Sequence, residues 1–540
     1  MRMLPASAAI ATLLFTSAML AVERPELVVV ISVDQFRYEY LERFRPFFGE
    51  GGFQRFEREG ATFTNARQRH SVTSTGPGHA AIGGGTVPAE NGIVANRWLD
   101  RDATHDVEKW RSYFAETTSA PFDPDGPRWW KSGGAPRFAG TSDPSAVQGV
   151  SSSWGGAKVI SLALTDRAAI LMGGRSASAA YWFDGRAERF VSSPYYRANP
   201  AVLAFNDLVP GYMPASAQWK LSRDDLQAVS FDPPAAWPLK NTTYGGTFPH
   251  PIPTIRALQS TPFAHDLILD FAQHVLAIER PDLLFVGISS TDYLGHLYGP
   301  DSLEVADSAI RLDRALAAFL DALQRRYGDR VVVVLTSDHG IQSIPEIARL
   351  RDPDADTGRV DLRVPAPNAR TVRDLSPQRI AIERATARKL GAAFSLDTPL
   401  ENAFVFFFEE QAFYLNRRFR NERVKRAVRD AVRELDGVAG AWTNTETLPP
   451  LLLNNFHPDR SGDVLLTLHP GWIWMWGSNS TTHGQPVEAD LHVPLLLWGY
   501  GIKPGRYEVD ASPLDLAPTL GSLLGVVAGG RESRSLPCVY

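Results

Sequence analysis

The chain has 540 residues, of which 44% are hydrophobic and 21% charged, a balance typical of a folded protein and not of a disordered or fibrous one. Its 55 Lys and Arg residues against 60 Asp and Glu residues give a formal net charge of -5, which argues against a dedicated nucleic-acid-binding protein. The single cysteine, Cys538, excludes an intramolecular disulfide and a cysteine-built metal site. Any metal ion must therefore be bound by His, Asp and Glu.

Residues 1–21 have the pattern of a signal peptide. Arg2 precedes an apolar run that ends in small residues before Glu23 and Arg24. A disordered or membrane-anchoring tail is the alternative interpretation. No other segment reaches the roughly 18 continuous apolar residues of a membrane-spanning helix. We therefore expect a periplasmic or secreted protein without a membrane span after cleavage.

Four apolar runs, at residues 27–33, 159–164, 283–288 and 331–335, have the length and β-branched content of strands buried on both faces. Between the last two runs, apolar residues at steps of three and four predict a helix from Val305 to Leu323, which Gly328 closes. This order predicts an α/β fold with a largely parallel central sheet flanked by helices. Ligands of such sheets bind beyond the carboxyl ends of the strands.

Three segments rich in Pro, Gly, Ser and Trp interrupt this order, near residues 114–153, 186–253 and 344–471. We expect them to be cap insertions in one catalytic domain that spans residues 22–540. Within the last insertion, a strand-like segment at 412–415 precedes an amphipathic helix at 421–435, which indicates a small cap domain. The Trp-rich segment 472–476 indicates packing more than ligand binding.

Carboxylates and imidazoles follow three of the predicted strands and occur again in a later loop. They are Asp34 after the first strand, Asp292 and His296 after the third, Asp338 and His339 after the fourth, and His483 in the loop. Asp292 and His296, four residues apart, face the same way in a helical turn. A set of nitrogen and oxygen ligands without thiolate suits zinc, and two sets of three residues fit two ions. Two neighbouring metal ions can clamp a phosphoryl group during its transfer.

Thr75 is the best-placed hydroxyl for a nucleophile. It precedes Gly76, Pro77 and Gly78 at an apparent helix start, where backbone N–H groups and the helix dipole favour an anion. Coordination to zinc lowers the pKa of a hydroxyl and makes it a competent nucleophile near neutral pH. Taken alone, the segment predicts equally well that Thr75 is only a helix N-cap.

Several motifs occur together along the chain: Val33-Asp34-Gln35, Thr75-Gly-Pro-Gly-His79, Thr86-Val-Pro88, Asn91-Gly-Ile-Val-Ala-Asn96, Thr291-Asp-Tyr-Leu-Gly-His296, Ser337-Asp-His-Gly340 and Thr482-His-Gly484. In this combination the sequence closely resembles the alkaline phosphatase superfamily. Within it, the chain is most similar to the phosphate-irrepressible, monomeric bacterial alkaline phosphatases that use a threonine nucleophile. The resemblance extends over most of the chain after the signal segment.

The resemblance implies two Zn²⁺ ions per chain. One would be held by Asp292, His296 and His483. The other would be held by a second set, which is Asp34, Asp338, His339 and the Thr75 oxygen. In this family Thr75 would attack the phosphorus in line to give a phosphothreonine intermediate.

The resemblance also implies how the phosphoryl group is bound. Asn96 matches the family asparagine that hydrogen-bonds a phosphoryl oxygen. Arg167 matches the arginine that pairs with the phosphoryl group, for which a planar guanidinium is well suited. We therefore expect a monomeric, broadly specific phosphomonoesterase that scavenges phosphate from small-molecule phosphoesters.

The sequence departs from the family at one position of the substrate site. Where the monoesterase signature reads Lys-Asp-Arg, this chain has Thr165, Asp166 and Arg167. A phosphate monoester carries two negative charges at alkaline pH and a diester carries one, so loss of the ammonium weakens monoester preference more than diester preference. A phosphodiesterase or nucleotide pyrophosphatase of the same superfamily is therefore the alternative. A non-catalytic metal- or phosphoester-binding protein is a remote third interpretation, because no ligand or nucleophile is missing.

Overall fold

The computed structural model describes residues 24–99, 157–175, 177–192, 196, 198–231, 246–362, 369–475 and 479–540, together with the backbone of 138–140. The expected signal peptide, residues 1–21, lies outside the described residues, as does most of the expected insertion at 114–153. In the described ranges no helix combines the length and apolarity that crossing a membrane requires.

The core of the molecule is a nine-stranded mixed sheet. The described part of the chain also forms smaller sheets, and all its strands are numbered here in chain order. They are β1 Leu27–Val33, β2 Ala61–Phe63, β3 Arg97–Leu99, β4 Phe138–Gly140, β5 Val159–Ala163, β6 Ala179–Asp184, β7 Arg189–Val191, β8 Gln218–Trp219, β9 His250–Pro251, β10 Leu283–Ile288, β11 Val331–Thr336, β12 Gly358–Val360, β13 Val405–Glu409, β14 Ala412–Leu415, β15 Val438–Thr443, β16 Val464–Leu468, β17 Trp472–Trp474, β18 Leu495–Gly499 and β19 Gly505–Tyr507. The order across the central sheet is β19-β2-β18-β11-β1-β10-β5-β6-β7.

The middle of this sheet is parallel, as the buried apolar runs predict. β11, β1, β10, β5 and β6 all pair in parallel. Antiparallel strands extend both sides, because β18 pairs antiparallel with β11 and with β2, and β7 pairs antiparallel with β6. The four strands predicted from sequence are the four central ones, and the expected α/β fold is confirmed.

Both faces of β1 are buried, which explains its uninterrupted apolar sequence. Leu27, Val29 and Ile31 belong to one hydrophobic cluster, and Val28 and Val30 belong to another on the opposite face. Helices cover both faces. The α-helices are Glu39–Arg43, Phe53–Glu59, Thr75–Gly84, Pro88–Asn91, Asp166–Gly173, Pro200–Leu203, Phe263–Glu279, Ser290–Tyr298, Leu303–Tyr327, Pro345–Arg351, Pro377–Leu390, Glu422–Val432, Pro450–Asn455, Glu488–Leu491 and Leu516–Leu524.

The segment 344–471, expected to be an insertion, contains a second sheet with the strand order β13-β14-β16-β15. The helices Pro377–Leu390 and Glu422–Val432 pack on it through a hydrophobic cluster of its own. The predicted amphipathic helix and the strand before it are thus both present. The described part of the Trp-rich segment, residues 472–475, packs against this sheet as expected, since Trp474 is buried and contacts Phe408 edge to face at 5.3 Å between ring centroids.

Candidate active site

Four neighbouring strands of the central sheet end at the candidate site. Asp34 follows β1 and Asp338 follows β11, while β10 leads directly into the helix Ser290–Tyr298 and β5 into the helix Asp166–Gly173. These strands stand side by side and run parallel, so their carboxyl ends meet at one edge. This explains how residues that are far apart in sequence meet at one site.

Asp292, His296 and His483 form the first cluster of metal-ligating groups. Their ligand atoms all lie within 4.8 Å of one another. The distance from Asp292 Oδ1 is 3.3 Å to His296 Nε2 and 3.6 Å to His483 Nε2. Asp292 and His296 share one face of the helix Ser290–Tyr298, as their spacing predicts.

The second cluster adjoins the first and is fully buried. His339 Nε2 lies 3.5 Å from Asp34 Oδ1 and 3.2 Å from Asp338 Oδ2. Asp292 is shared between the clusters, because its carboxylate also groups with Asp34 and His339. Asp34 Oδ1, Asp338 Oδ2 and His339 Nε2 are buried and have no hydrogen-bond partner among the described residues. Buried polar atoms without a partner are costly, and a cation between them would satisfy all three.

The three histidines are oriented for metal binding through Nε2. In each, Nδ1 contacts a backbone carbonyl oxygen: Thr481 for His296 at 2.9 Å, Thr73 for His483 at 2.7 Å, and Gly340 for His339 at 2.9 Å. A backbone partner at Nδ1 fixes the tautomer and leaves Nε2 to bind a metal, an arrangement found around most metal-ligating histidines. The donor set of imidazoles and carboxylates fits zinc.

Burial and neighbouring charges strongly shift the pKa values of the three carboxyl groups at the site. Burial raises the pKa of Asp34 well above its ordinary value, and the nearby carboxylates of Asp338 and Asp292 raise it further. Burial also opposes ionisation of Asp292 and Asp338, but the adjacent imidazoles outweigh it and hold both pKa values well below the usual range. Three carboxyl groups at one point repel one another when ionised, so the site favours a bound cation.

The pKa values of the two histidines in the first cluster, His296 and His483, are shifted in opposite directions. Burial depresses the pKa of both, but the Asp292 carboxylate outweighs burial at His296 and raises its pKa. His483 keeps a pKa well below the ordinary value because burial and the neighbouring His339 both disfavour its charge. A neutral His483 is the protonation state that a metal ligand needs.

Thr75 is the first residue of the helix Thr75–Gly84, and it is 7% exposed. The N-cap is Ser74, so the alternative interpretation of Thr75 as the cap is wrong. Asn96 lies beside the start of this helix, with its side-chain oxygen accepting a hydrogen bond of 2.8 Å from the Gly76 N–H. Gly78 lets this helix approach the second cluster, since a Cβ at position 78 would lie 2.4 Å from the Asp338 backbone oxygen.

Arg167 is also at this edge of the sheet. Its positive charge opposes the rise in the pKa of Asp34, and its Nε is buried without a hydrogen-bond partner in the described ranges. Thr165 Oγ1 lies 3.1 Å from Ser289 Oγ, at the position of the family lysine. Lys158 cannot substitute for that lysine because its Nζ binds Glu279 Oε2 at 2.7 Å on another part of the surface.

Two further residues at the candidate site were not identified as site residues from the sequence. His79 Nδ1 lies 2.9 Å from the Thr75 backbone oxygen and 3.1 Å from Asp338 Oδ2, and its Nε2 lies 3.1 Å from Ser32 Oγ, so its ring packs against a carboxylate of the second cluster. Gln35 donates from Nε2 to Asp292 Oδ1 at 2.6 Å. Gln35 follows Asp34 directly and His79 follows Thr75 by four residues, but spacing alone does not show which way their side chains point.

Comparisons with known proteins agree with this geometry. A family model described as type I phosphodiesterase / nucleotide pyrophosphatase matches residues 28–488. Alkaline phosphatase PhoV of Synechococcus elongatus is 30% identical over 542 aligned positions, covering 94% of this chain and 91% of that protein. Alkaline phosphatase PhoK of a Sphingomonas species is 30% identical and covers 94% of this chain and 89% of its own length.

The crystal structure of wild-type alkaline phosphatase PafA superposes with a TM-score of 0.77 at 25% sequence identity, covering 96% of this chain and 99% of that one. The range that the family model matches, residues 28–488, contains all residues of both clusters. The chain therefore belongs to the type I phosphodiesterase / nucleotide pyrophosphatase family of the alkaline phosphatase superfamily.

Proposed function

We propose that the chain is an exported, zinc-dependent alkaline phosphatase that hydrolyses phosphate monoesters through a phosphothreonine intermediate at Thr75. The observation that carries this proposal is the buried double cluster of ligands with partnerless carboxylate and imidazole atoms, next to a threonine at a helix N-terminus. The similarity to PhoV, PhoK and PafA, whose names describe alkaline phosphatases, supports it. Export rests on the signal-like residues 1–21.

The residues present fit two zinc ions. Asp292, His296 and His483 would hold one ion. Asp34, Asp338 and His339 would hold the other together with the Thr75 oxygen. When bound, the ions supply Lewis-acid chemistry, which lowers the pKa of oxygen nucleophiles and offsets the negative charge of the ester.

The chain's own groups carry the transfer. Thr75 Oγ1 forms a bond to phosphorus while the bond from phosphorus to the ester oxygen breaks, and the alcohol leaves on the opposite side. Water then attacks the phosphothreonine, releasing inorganic phosphate and restoring the threonine hydroxyl. The helix Thr75–Gly84 directs its N-terminal dipole at the phosphoryl oxygens and stabilises their charge.

Asn96 and Arg167 bind the phosphoryl group. Because Asn96 Oδ1 accepts from the Gly76 N–H, the orientation of the amide is fixed and its NH₂ group is the side that donates to a phosphoryl oxygen. Arg167 offers a planar set of donors next to the second cluster. The substrates are small-molecule phosphoesters of varied alcohols, and the proposed working form is the monomer.

One observation favours a second candidate, a phosphodiesterase. Thr165 places a neutral hydroxyl where monoesterases of the family have an ammonium, and Lys158 is engaged elsewhere. A pocket with one cation fewer discriminates less against a singly charged diester.

The test is the ratio of kcat/KM for p-nitrophenyl phosphate to that for methyl p-nitrophenyl phosphate, measured on zinc-loaded protein. The proposal expects the monoester to be the better substrate by a factor of at least about 100, since two metals and Arg167 remain to match its second charge. Turnover of the diester above that of the monoester would replace the proposal with the phosphodiesterase. Stoichiometric zinc binding with no turnover of either ester would leave only a binding function.

A further inference from the structure

The tip of the hairpin between β13 and β14 reaches from the inserted sheet into the candidate site. Glu409, at the end of β13, binds Arg97 through two hydrogen bonds of 3.1 Å each. Gln411, at the other side of the turn, donates from Nε2 to the backbone oxygens of Ser71 and Gly484 at 2.7 Å each. The tip therefore contacts the segment before Thr75, the segment of Asn96, and the loop that carries His483.

Glu410 lies between these two anchors and is 8% exposed. Burial and the neighbouring Glu409 raise the pKa of its carboxyl to about 8, whereas the adjacent Ser74 hydroxyl and Asn96 backbone N–H oppose that rise. Its Oε2 is buried without a partner in the described part of the chain. The backbone at Glu410 has a φ of +49°, a left-handed conformation that costs a non-glycine residue energy and is kept only where the surroundings enforce it.

These contacts connect Glu410 to both neighbours of the phosphoryl site. Ser74 directly precedes Thr75, and its hydroxyl does not cap the helix but lies beside the Glu410 carboxyl. The Asn96 backbone N–H lies beside Glu410, and its side-chain oxygen accepts a hydrogen bond from the Gly76 N–H. Glu410 thus lies next to both the segment of Thr75, the proposed nucleophile, and Asn96, the proposed phosphoryl-binding amide.

We propose that Glu410 is a positioning residue for phosphoryl transfer, which holds Asn96 and the Ser74–Thr75 backbone in register so that both meet the phosphoryl group together. This inference rests on the proposed function. It gives the inserted sheet a part in the reaction, since that sheet supplies the carboxyl. Misplacement of a reacting group by about 1 Å is enough to lower a rate by roughly 100-fold, so a single support of this kind has a measurable effect.

The test compares two substitutions at position 410. Glu410→Asp keeps the charge and suits a left-handed backbone, but it withdraws the carboxyl by one methylene from Asn96 and Ser74. Glu410→Gln keeps the length, and its amide can still accept from the Asn96 N–H and bond the Ser74 hydroxyl. We expect Glu410→Asp to lower kcat/KM for p-nitrophenyl phosphate by about 10- to 100-fold, and Glu410→Gln to lower it by less than about threefold.

A double-mutant cycle separates positioning from general support of the fold. In an Asn96→Ala background, where one of the positioned groups is absent, the loss caused by Glu410→Asp should shrink by at least about fivefold. An equal loss in both backgrounds, or a wild-type rate in Glu410→Asp, would overturn the inference. A loss in Glu410→Gln as large as that in Glu410→Asp would also overturn it.

Binding of inorganic phosphate to the zinc-loaded protein, followed by calorimetry, gives a readout without turnover. We expect Glu410→Asp to weaken phosphate binding about as much as Asn96→Ala does, with unchanged zinc content. Unchanged phosphate binding would contradict the inference. If Glu410→Asp does not fold, Ser74→Ala removes one partner of the carboxyl without altering the hairpin, and a rate loss of about threefold or more is required.

The two proposals fail in different ways. Wild-type protein that binds zinc but hydrolyses no phosphate ester would overturn the proposed function. An active wild type with an equally active Glu410→Asp variant would overturn only the role of Glu410.

Discussion

Thr165→Lys restores the ammonium that related monoesterases have at this position. The side chain at 165 is half-buried, follows the central strand β5 and lies just before the helix that carries Arg167. Its hydroxyl makes a 3.1 Å hydrogen bond with the Ser289 hydroxyl, and the substitution removes only this one bond. A lysine here would extend from the sheet edge toward the phosphoryl group.

The magnitude follows from the charges. A charge-assisted hydrogen bond contributes about 1.5–3 kcal/mol, which corresponds to a rate gain of roughly 10- to 150-fold for a doubly charged monoester. A singly charged diester gains about half of that free energy, because the Coulomb energy scales with charge. The ratio of monoester to diester kcat/KM should therefore rise by roughly four- to thirteenfold, and partial solvent exposure favours the lower end.

The assay measures both esters with wild type, Thr165→Lys and Thr165→Met at matched zinc content. Methionine has nearly the length of lysine without its charge, so it controls for the shape of the side chain. The reasoning is refuted if methionine raises the ratio as much as lysine does, or if lysine leaves the ratio unchanged.

Three further results are expected. His79→Ala removes the 3.1 Å contact with Asp338 and should weaken zinc binding by about 10- to 100-fold in a chelator competition, and unchanged affinity would show that Asp338 needs no such support. Gly78→Ala places a Cβ 2.4 Å from the Asp338 backbone, so activity and zinc content should fall together; a fully active variant would contradict the tight packing at this point. Zinc binding should release protons, because Asp34 and His296 have raised pKa values in the metal-free site; apparent affinity then rises with pH until both are deprotonated, and calorimetry in two buffers of different ionisation enthalpy that shows no proton release would refute it.

The central sheet and the ligand clusters could be predicted from sequence for one physical reason. Strands buried on both faces are continuous apolar runs, and their parallel carboxyl ends bring the following residues together. Asp34, Asp292 and Asp338 each follow such a run closely. The structure brings together all six predicted Asp and His ligands, while their binding of zinc stays a prediction.

Contacts between distant segments could not be predicted in the same way. The hairpin tip contacts the segment before Thr75 through Gln411 and Ser71, which are 340 positions apart, and no periodicity in the sequence predicts such a pairing. The strands β2, β18 and β19 on one side of the sheet are short or follow long loops, so their order in the sheet depends on packing. The direction of the His79 side chain likewise could not be predicted, because it depends on the close packing of the helix Thr75–Gly84 against Asp338.

The most direct test of the central claim is turnover of p-nitrophenyl phosphate by zinc-loaded wild-type protein and by its Thr75→Ala and Thr75→Ser variants. The account predicts that Thr75→Ala binds nearly the full complement of zinc yet loses at least about a thousandfold in kcat/KM, and that Thr75→Ser recovers much of the loss. Undiminished hydrolysis by Thr75→Ala with intact zinc binding would contradict it.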